Sequence, residues 1–381
     1  MNLCYSRRSI KHLEGVIKFG RYLAIVPNYN FDKQTIVWKR IYKSCISTVF
    51  LISFGIFLYC VINSWEVRRN GSKLFTIFEF ILGVTMHCSL EVFLLTASLG
   101  SAFWNADRWK NLFKSFAYLE TFFRTERVTE RNLAKNFYLQ LLLTSVIVIA
   151  NLVAMIVTVW EYARHFENYY ILITQLHASL LIYARHVRET IMCSLILAIK
   201  CKYEDLNDFL RKNVNSSKSI RNVSNLYGVM NDIVDGFNKI FGCEILLTLS
   251  LTFVLQLTSF NFFRKLVSQA QGAEDVDSLG NTGPMITIGI VSMIGPILVM
   301  FSCDWAIKEA EKLVPTCYKC QAYFPTFSEE KQELLNLANQ IINNKPAFTA
   351  AGFFEVNCRT LFTLFGTTTT YFIVIVQFNP V

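Results

Sequence analysis

Three ionisable side chains, Glu79, His87 and Glu91, fall inside one apolar run between about Leu74 and Ser98. Such groups at membrane depth are expensive and commonly mark a path for a ligand, ion or proton. A pair of carboxylates could share acid–base work, but Glu79 and Glu91 stand twelve residues apart, about 18 Å along a helix, too far to act together. No nucleophile elbow, phosphate-binding glycine loop, His-Glu-x-x-His or EF-hand spacing occurs. Cys317 and Cys320 form a lone CxxC without the second ligand pair of a zinc ribbon, and the histidines are scattered. The chain is therefore expected not to be an enzyme and to carry neither metal nor cofactor.

Two other sets suit binding and passage. Glu79, Asn151, Thr158, Trp160, Tyr169, Tyr170, Gln175, His177, Gln256 and Thr258 lie toward one end of their apolar runs, and the topology derived below gathers them in the outer half of a bundle. Aromatic walls with a few polar groups are the usual make-up of a small-molecule site. The last stretch reads Thr367-Thr368-Thr369-Thr370-Tyr371, five apolar residues including Val374, then Gln377-Phe378. Four threonines, a tyrosine and a glutamine are costly against lipid, so one face of this span is expected to meet something else.

The elements that must position these residues are membrane helices. Of 381 residues, 53% are hydrophobic, 14% aromatic and 33 are Phe, too apolar for a soluble surface, while Gly (16) and Pro (7) are scarce. The chain reads as one all-α polytopic membrane domain, without internal repeat and without a nucleic-acid partner. Seven spans are expected, near 44–62, 74–98, 137–160, 168–184, 237–263, 284–303 and 360–378. After the fourth, the Arg185, His186, Arg188, Glu189 run marks a helix continuing into the cytosol. The connector 99–136 carries a helical stripe of Trp104, Trp109, Leu112, Phe116, Leu119 and Phe123. The 200–236 connector is least structured at Asn213–Asn225. Ser328 opens a helix with the stripe Leu334, Leu335, Leu337 and Ile341. The segment from Pro346 to Phe378 is too long for one span, so a cytosolic helix around Ala347–Arg359 is expected before the membrane part.

Lys and Arg set the orientation. The segments 1–43, 99–136, 200–236 and 304–346 hold 9, 7, 6 and 5, or 27 together, whereas the alternate loops hold 6. The positive-inside rule places the N-terminus in the cytosol and the C-terminus outside. The expected organisation is a cytosolic segment 1–43, a six-span ligand-binding bundle 44–303, a cytosolic anchor region 304–359 and a last helix 360–378.

Thr370-Tyr371, five apolar residues and Gln377-Phe378 at the end of the last span resemble the C-terminal signature of insect gustatory receptors, within the seven-span insect chemoreceptor superfamily. The motif covers roughly the last 30 residues; the inverted topology extends the likeness to the whole chain. A G-protein-coupled receptor has the opposite orientation, and neither Asp-Arg-Tyr after span 3 nor Asn-Pro-x-x-Tyr inside span 7 occurs. The resemblance implies a tastant-gated cation channel subunit in the plasma membrane of a sensory dendrite, four copies forming a homo- or hetero-tetramer. It places Thr370, Tyr371, Val374, Gln377 and Phe378 along the pore and gate, and the ligand pocket among Glu79, Asn151, Trp160, Tyr170, Gln175, His177, Gln256 and Thr258. An odorant receptor and a metabotropic seven-span receptor stand as alternatives.

Overall fold

The computed structural model describes residues 40–69, 77–123, 169–270 and 282–378, with parts of 15–36 and single positions between 142 and 153. The chain is built almost wholly from helices: α1 (Arg40–Arg69), α2 (Ile77–Leu94), α3 (Ala106–Phe122), α4 (Tyr169–Lys212), α5 (Ser217–Ala270), α6 (Thr282–Glu311), α7 (Leu313–Gln321), α8 (Glu329–Asn343) and α9 (Cys358–Phe378). Two small antiparallel ladders accompany them, β1 (Tyr29–Asn30) with β2 (Thr35–Ile36) and β3 (Thr349–Ala350) with β4 (Phe354–Glu355).

Helix α1 is inside out by the standards of a soluble protein. Leu51 and Ile52 are 67% and 59% exposed while Ser53 between them and the core is 7% exposed. Apolar side chains outward and a hydroxyl inward is the pattern that hydrocarbon solvent selects. Among the described residues four helical stretches are long and apolar enough to cross a membrane, Ser44–Asn63, Gly83–Ser101, Ser217–Arg264 and Gly289–Gln321. The expected span 137–160 falls almost entirely outside the described residues.

The main core is shared by several of these helices. Tyr203, Leu206 and Leu210 of α4 pack with Ile220, Val223, Leu226, Tyr227 and Met230 of α5, and this core continues into α3, α6, α7 and α8. At one end Trp109, Phe113, Phe237 and Phe241 form an aromatic knot with ring centroids 4.6 to 5.4 Å apart. Each such ring fully buried contributes about 1.5–3 kcal/mol. The residues expected to form a polar connector are thus mostly the core of a helical hairpin. Only 213–216 break the helix, and the Ser and Asn there end one helix and start the next, with Ile220 N bonded to Ser216 O.

Two further expectations change. Residues 347–357 form no helix: Ala351 and Gly352 take positive φ of 52° and 79° and turn the chain between β3 and β4. The last helix is therefore one 21-residue piece from Cys358, not a split one. Trp104 does not join the α3 stripe. Residues Leu95–Trp104 are π-helical, with Asn105 N bonded to Gly100 O five residues back, and the wider turn rotates Trp104 outward while Trp109, Leu112, Phe116 and Leu119 stay buried. Ser328 caps α8 as expected, accepting from Lys331 N, and Leu334, Leu337 and Ile341 are buried, though Leu335 faces out.

Candidate functional site

His87 and Glu91 are one turn apart on α2, so both face the same neighbours. Those neighbours are Ser53 of α1 and His177 of α4. Ser53 Oγ donates to Glu91 Oε1 at 2.8 Å, and His177 Nε2 lies 2.9 Å from Ser53 Oγ and 3.1 Å from Glu91 Oε1. The His87 and His177 rings are parallel with centroids 6.5 Å apart. All four side chains are buried. Among the described residues Glu91 Oε2, His87 Nδ1 and His177 Nδ1 have no partner.

Serine, histidine and a carboxylate in one place suggest a catalytic relay, but the geometry excludes it. A relay needs the acid on one ring nitrogen and the hydroxyl on the other, whereas here Nε2 faces both. The arrangement instead presents unused polar atoms inside an apolar bundle, which suits recognition of a polar group. Sequence reading singled out Glu91, His87 and His177 but missed Ser53, which nothing local distinguishes from other hydroxyls in α1.

Gln256 and Thr258 make their bonds elsewhere. Gln256 Nε2 donates to Gly289 O at 2.6 Å and ties α5 to α6. Thr258 Oγ1 donates to Val254 O within its own helix. Glu79 sits on α2 two turns before His87, and Tyr170 and Gln175 on the first turns of α4, with side chains outside the described residues. Asn151, Thr158 and Trp160 also lie outside them.

Two to three turns after His177, α4 carries the run expected to enter the cytosol. The helix does continue, yet Arg185, His186, Arg188 and Glu189 are at most 1% exposed. Arg188 grips Glu244 of α5 with two nitrogens, each 2.6 Å from a carboxylate oxygen. It also donates to Ile25 O and Ser101 Oγ, and its guanidinium lies 4.5 Å from the Phe241 ring centroid. Arg185 Nε donates to Glu189 Oε1 at 2.7 Å, and its Nη2 reaches Thr252 Oγ1 of α5 and Ser292 O of α6 at 2.7 and 3.0 Å. Charges that read as an exit signal form a buried polar layer joining three helices.

Helix α9 has two different faces. Leu361 and Thr368 are buried, Tyr371 meets Phe253 edge-on at 5.7 Å, and Phe372 meets Phe260 at 4.7 Å, so this side packs on α5. Away from it Thr363, Thr367, Thr370, Val374 and Gln377 are all exposed, within an arc of about 80° at 3.6 residues per turn. The threonine hydroxyls at 363, 367, 368, 369 and 370 each donate to the carbonyl four residues back, at 2.7 to 3.1 Å. This satisfies their donors inside the helix and leaves the exposed hydroxyl oxygens as acceptors on its surface. Phe378 ends the helix, with its side chain outside the described residues.

A family model described as 7tm Chemosensory receptor matches residues 13–381. A short stretch is similar to putative gustatory receptor 2a of Drosophila melanogaster, 40% identical over 47 residues, which is 12% of this chain and only 11% of that protein. The fold is similar to the insect olfactory receptor OR5 from Machilis hrabei, with TM-score 0.67 and 10% identity over 97% of this chain and 99% of the other. The same receptor in complex with eugenol gives 0.69 and 11% over 97% and 100%. At such identity the structural likeness is one of fold, and the family match, which spans nearly every residue, carries the assignment: the chain belongs to the 7tm chemosensory receptor family.

Proposed function

We propose that the chain is a gustatory-type subunit of a ligand-gated cation channel in the plasma membrane of sensory neurons, four copies surrounding an axis lined by α9. The observation that carries this reading is the continuous exposed stripe Thr363, Thr367, Thr370, Val374, Gln377 opposite the face that packs on α5. A lone helix encloses no water, so a polar stripe left open in one copy fits an axis shared by several. Gln377 and Phe378 then place a polar and an apolar collar side by side, and an apolar constriction blocks ions by dewetting. The ligand is a small molecule, as the eugenol complex of the structural neighbour supports, taken from the outer side in the orientation set by the Lys and Arg count. The pocket is drawn from Glu79, Asn151, Trp160, Tyr170, Gln175, His177, Gln256 and Thr258, with the His177–Glu91 pair as its polar floor. That neighbour is an olfactory receptor, so volatile compounds belong in the same ligand screen as tastants.

Thr367→Cys, Thr370→Cys and Ile373→Cys test the stripe in cells expressing the chain alone. A charged, membrane-impermeant thiol reagent is expected to reduce ligand-evoked current at 367 and 370 and to spare Ile373→Cys, which lies outside the arc. Equal block at all three positions, or at none, sinks the α9 pore.

Topology has its own measurement. Asn215-Ser216-Ser217 and Asn222-Val223-Ser224 are glycosylation sequons, and both asparagines are exposed. Acceptors are modified only on the luminal side, so the cytosolic placement of 200–236 predicts that neither carries glycan. A glycosidase shift in the wild type that vanishes in Asn215→Gln/Asn222→Gln reverses the orientation.

A further inference from the structure

Pro296 stands in the interior of α6. It brings no N–H, so the carbonyl four residues earlier, that of Ser292, loses its intrahelical donor. The donor comes from another helix: Arg185 Nη2 of α4 bonds Ser292 O at 3.0 Å while also holding Thr252 of α5. Glu189, which fixes Arg185 through Nε, engages the residue next to the proline. A Cβ on Gly295 would lie 1.7 Å from Glu189 Oε2, so the carboxylate fills the notch that this glycine leaves. Arginine and glutamate one turn apart on α4 thus hold the turn of α6 that runs into the proline.

Beside the break lies a void of about 10 Å³, lined among others by Glu189, Thr248, Pro296, Met300 and Val356, at the lower limit for one water. Thr248 Oγ1 has no partner among the described residues. Val356 is fully buried and stands two residues before α9 begins. Close-packed interiors transmit displacement rather than absorb it, and the void gives α6 room beside Pro296 on the side where Val356 leads into α9.

We propose that Arg185 and Glu189 are positioning residues for gating: they hold α6 at a hinge at Pro296, and movement there passes through Val356 to α9. A buried ion pair is a poor source of stability but a good device for fixing one arrangement, and this pair is set where a helix is weakest. The functional arm rests on the channel reading; the structural arm does not.

The structural arm is a mutant cycle on the full-length protein in its native assembly, read by thermal unfolding in detergent. Arg185→Gln/Glu189→Gln removes the clasp without leaving a lone charge and is expected to lower the transition by several degrees. Adding Pro296→Ala, which restores the missing N–H to Ser292 O, is expected to recover most of that loss, or to restore accumulation if the double variant does not fold. A triple variant no more stable than the double overturns the clasp. In the functional arm Pro296→Ala alone, at equal surface level, is expected to shift the half-maximal ligand concentration by on the order of fivefold. An unchanged response curve with the cycle intact overturns transmission through the hinge, whereas a wild type silent to every ligand removes the channel reading and leaves the clasp standing.

Discussion

Arg188→Leu is expected to prevent accumulation of folded receptor at the cell surface. The guanidinium is fully buried, bonded twice to Glu244 at 2.6 Å and once each to Ile25 O and Ser101 Oγ, and lies against the faces of Phe241 and Trp109. Leucine fills part of the space but leaves the Glu244 carboxylate buried without its counter-ion. Breaking a buried pair on one side costs about 3–5 kcal/mol, a large part of the roughly 5–15 kcal/mol that holds a typical protein folded. Arg188→Leu/Glu244→Leu removes both charges and is expected to recover much of the loss. Surface biotinylation with thermal unfolding of the detergent extract checks both. A single variant as stable as the wild type means that the two side chains do not pair.

The second large effect is expected at Gly242 of α5. A Cβ there would lie 2.9 Å from Ala351 N, 3.2 Å from Ala351 Cα and 3.3 Å from Thr349 O. These are backbone atoms of the β3–β4 turn, and Ala351 already holds a positive φ of 52°, so neither can yield cheaply. Gly242→Val therefore lifts the turn from α5, at about 1–3 kcal/mol for the overpacking alone. It also strains the two bonds by which Asn238 clamps the same segment, to Ala347 O at 2.7 Å and from Thr349 N at 3.0 Å. Limited proteolysis is expected to cut within 347–356 at lower protease in the variant. Unchanged cleavage there, with unchanged unfolding temperature, means that the turn does not rest on Gly242.

The parts of this architecture legible in the sequence are those that depend on local periodicity. The α3 stripe from Trp109 to Phe123 and the Ser328-capped helix with Leu334, Leu337 and Ile341 inward both follow from 3.6-residue spacing and a cap. Trp104 failed because a π-helical turn shifts phase just before it, and no residue type announces such a turn. Ala347–Arg359 failed because its hairpin is held from Asn238, more than a hundred residues away. The charged run of α4 is the most instructive case. Arg185 and Arg188 mark the continuation of the helix, which the structure has, but their burial was not legible, because Glu244, Thr252 and Ser292, which make it possible, lie 56 to 107 residues away. Within the site, Glu91, His87 and His177 stood out by type alone, as an ionisable group in an apolar run always does, while Ser53 needed the fold to be seen.

Helix α5, at 54 residues, is roughly 80 Å long, and a hydrocarbon core takes up only roughly 30 Å of it. The remaining length works as a lever arm. A tilt of about 3° about its membrane portion, too small to disturb side-chain packing nearby, carries a point roughly 50 Å away through between 2 and 3 Å. Near that far end Arg221 closes on Glu329 and Glu333 of α8 at 2.8 Å, and Ser224 and Tyr227 also bind α8 and its cap, so such a swing is passed on to α8. Mechanical advantage is thus built into the length of a single element: a slight angular change at one end of α5 becomes a displacement of a few ångström at the other.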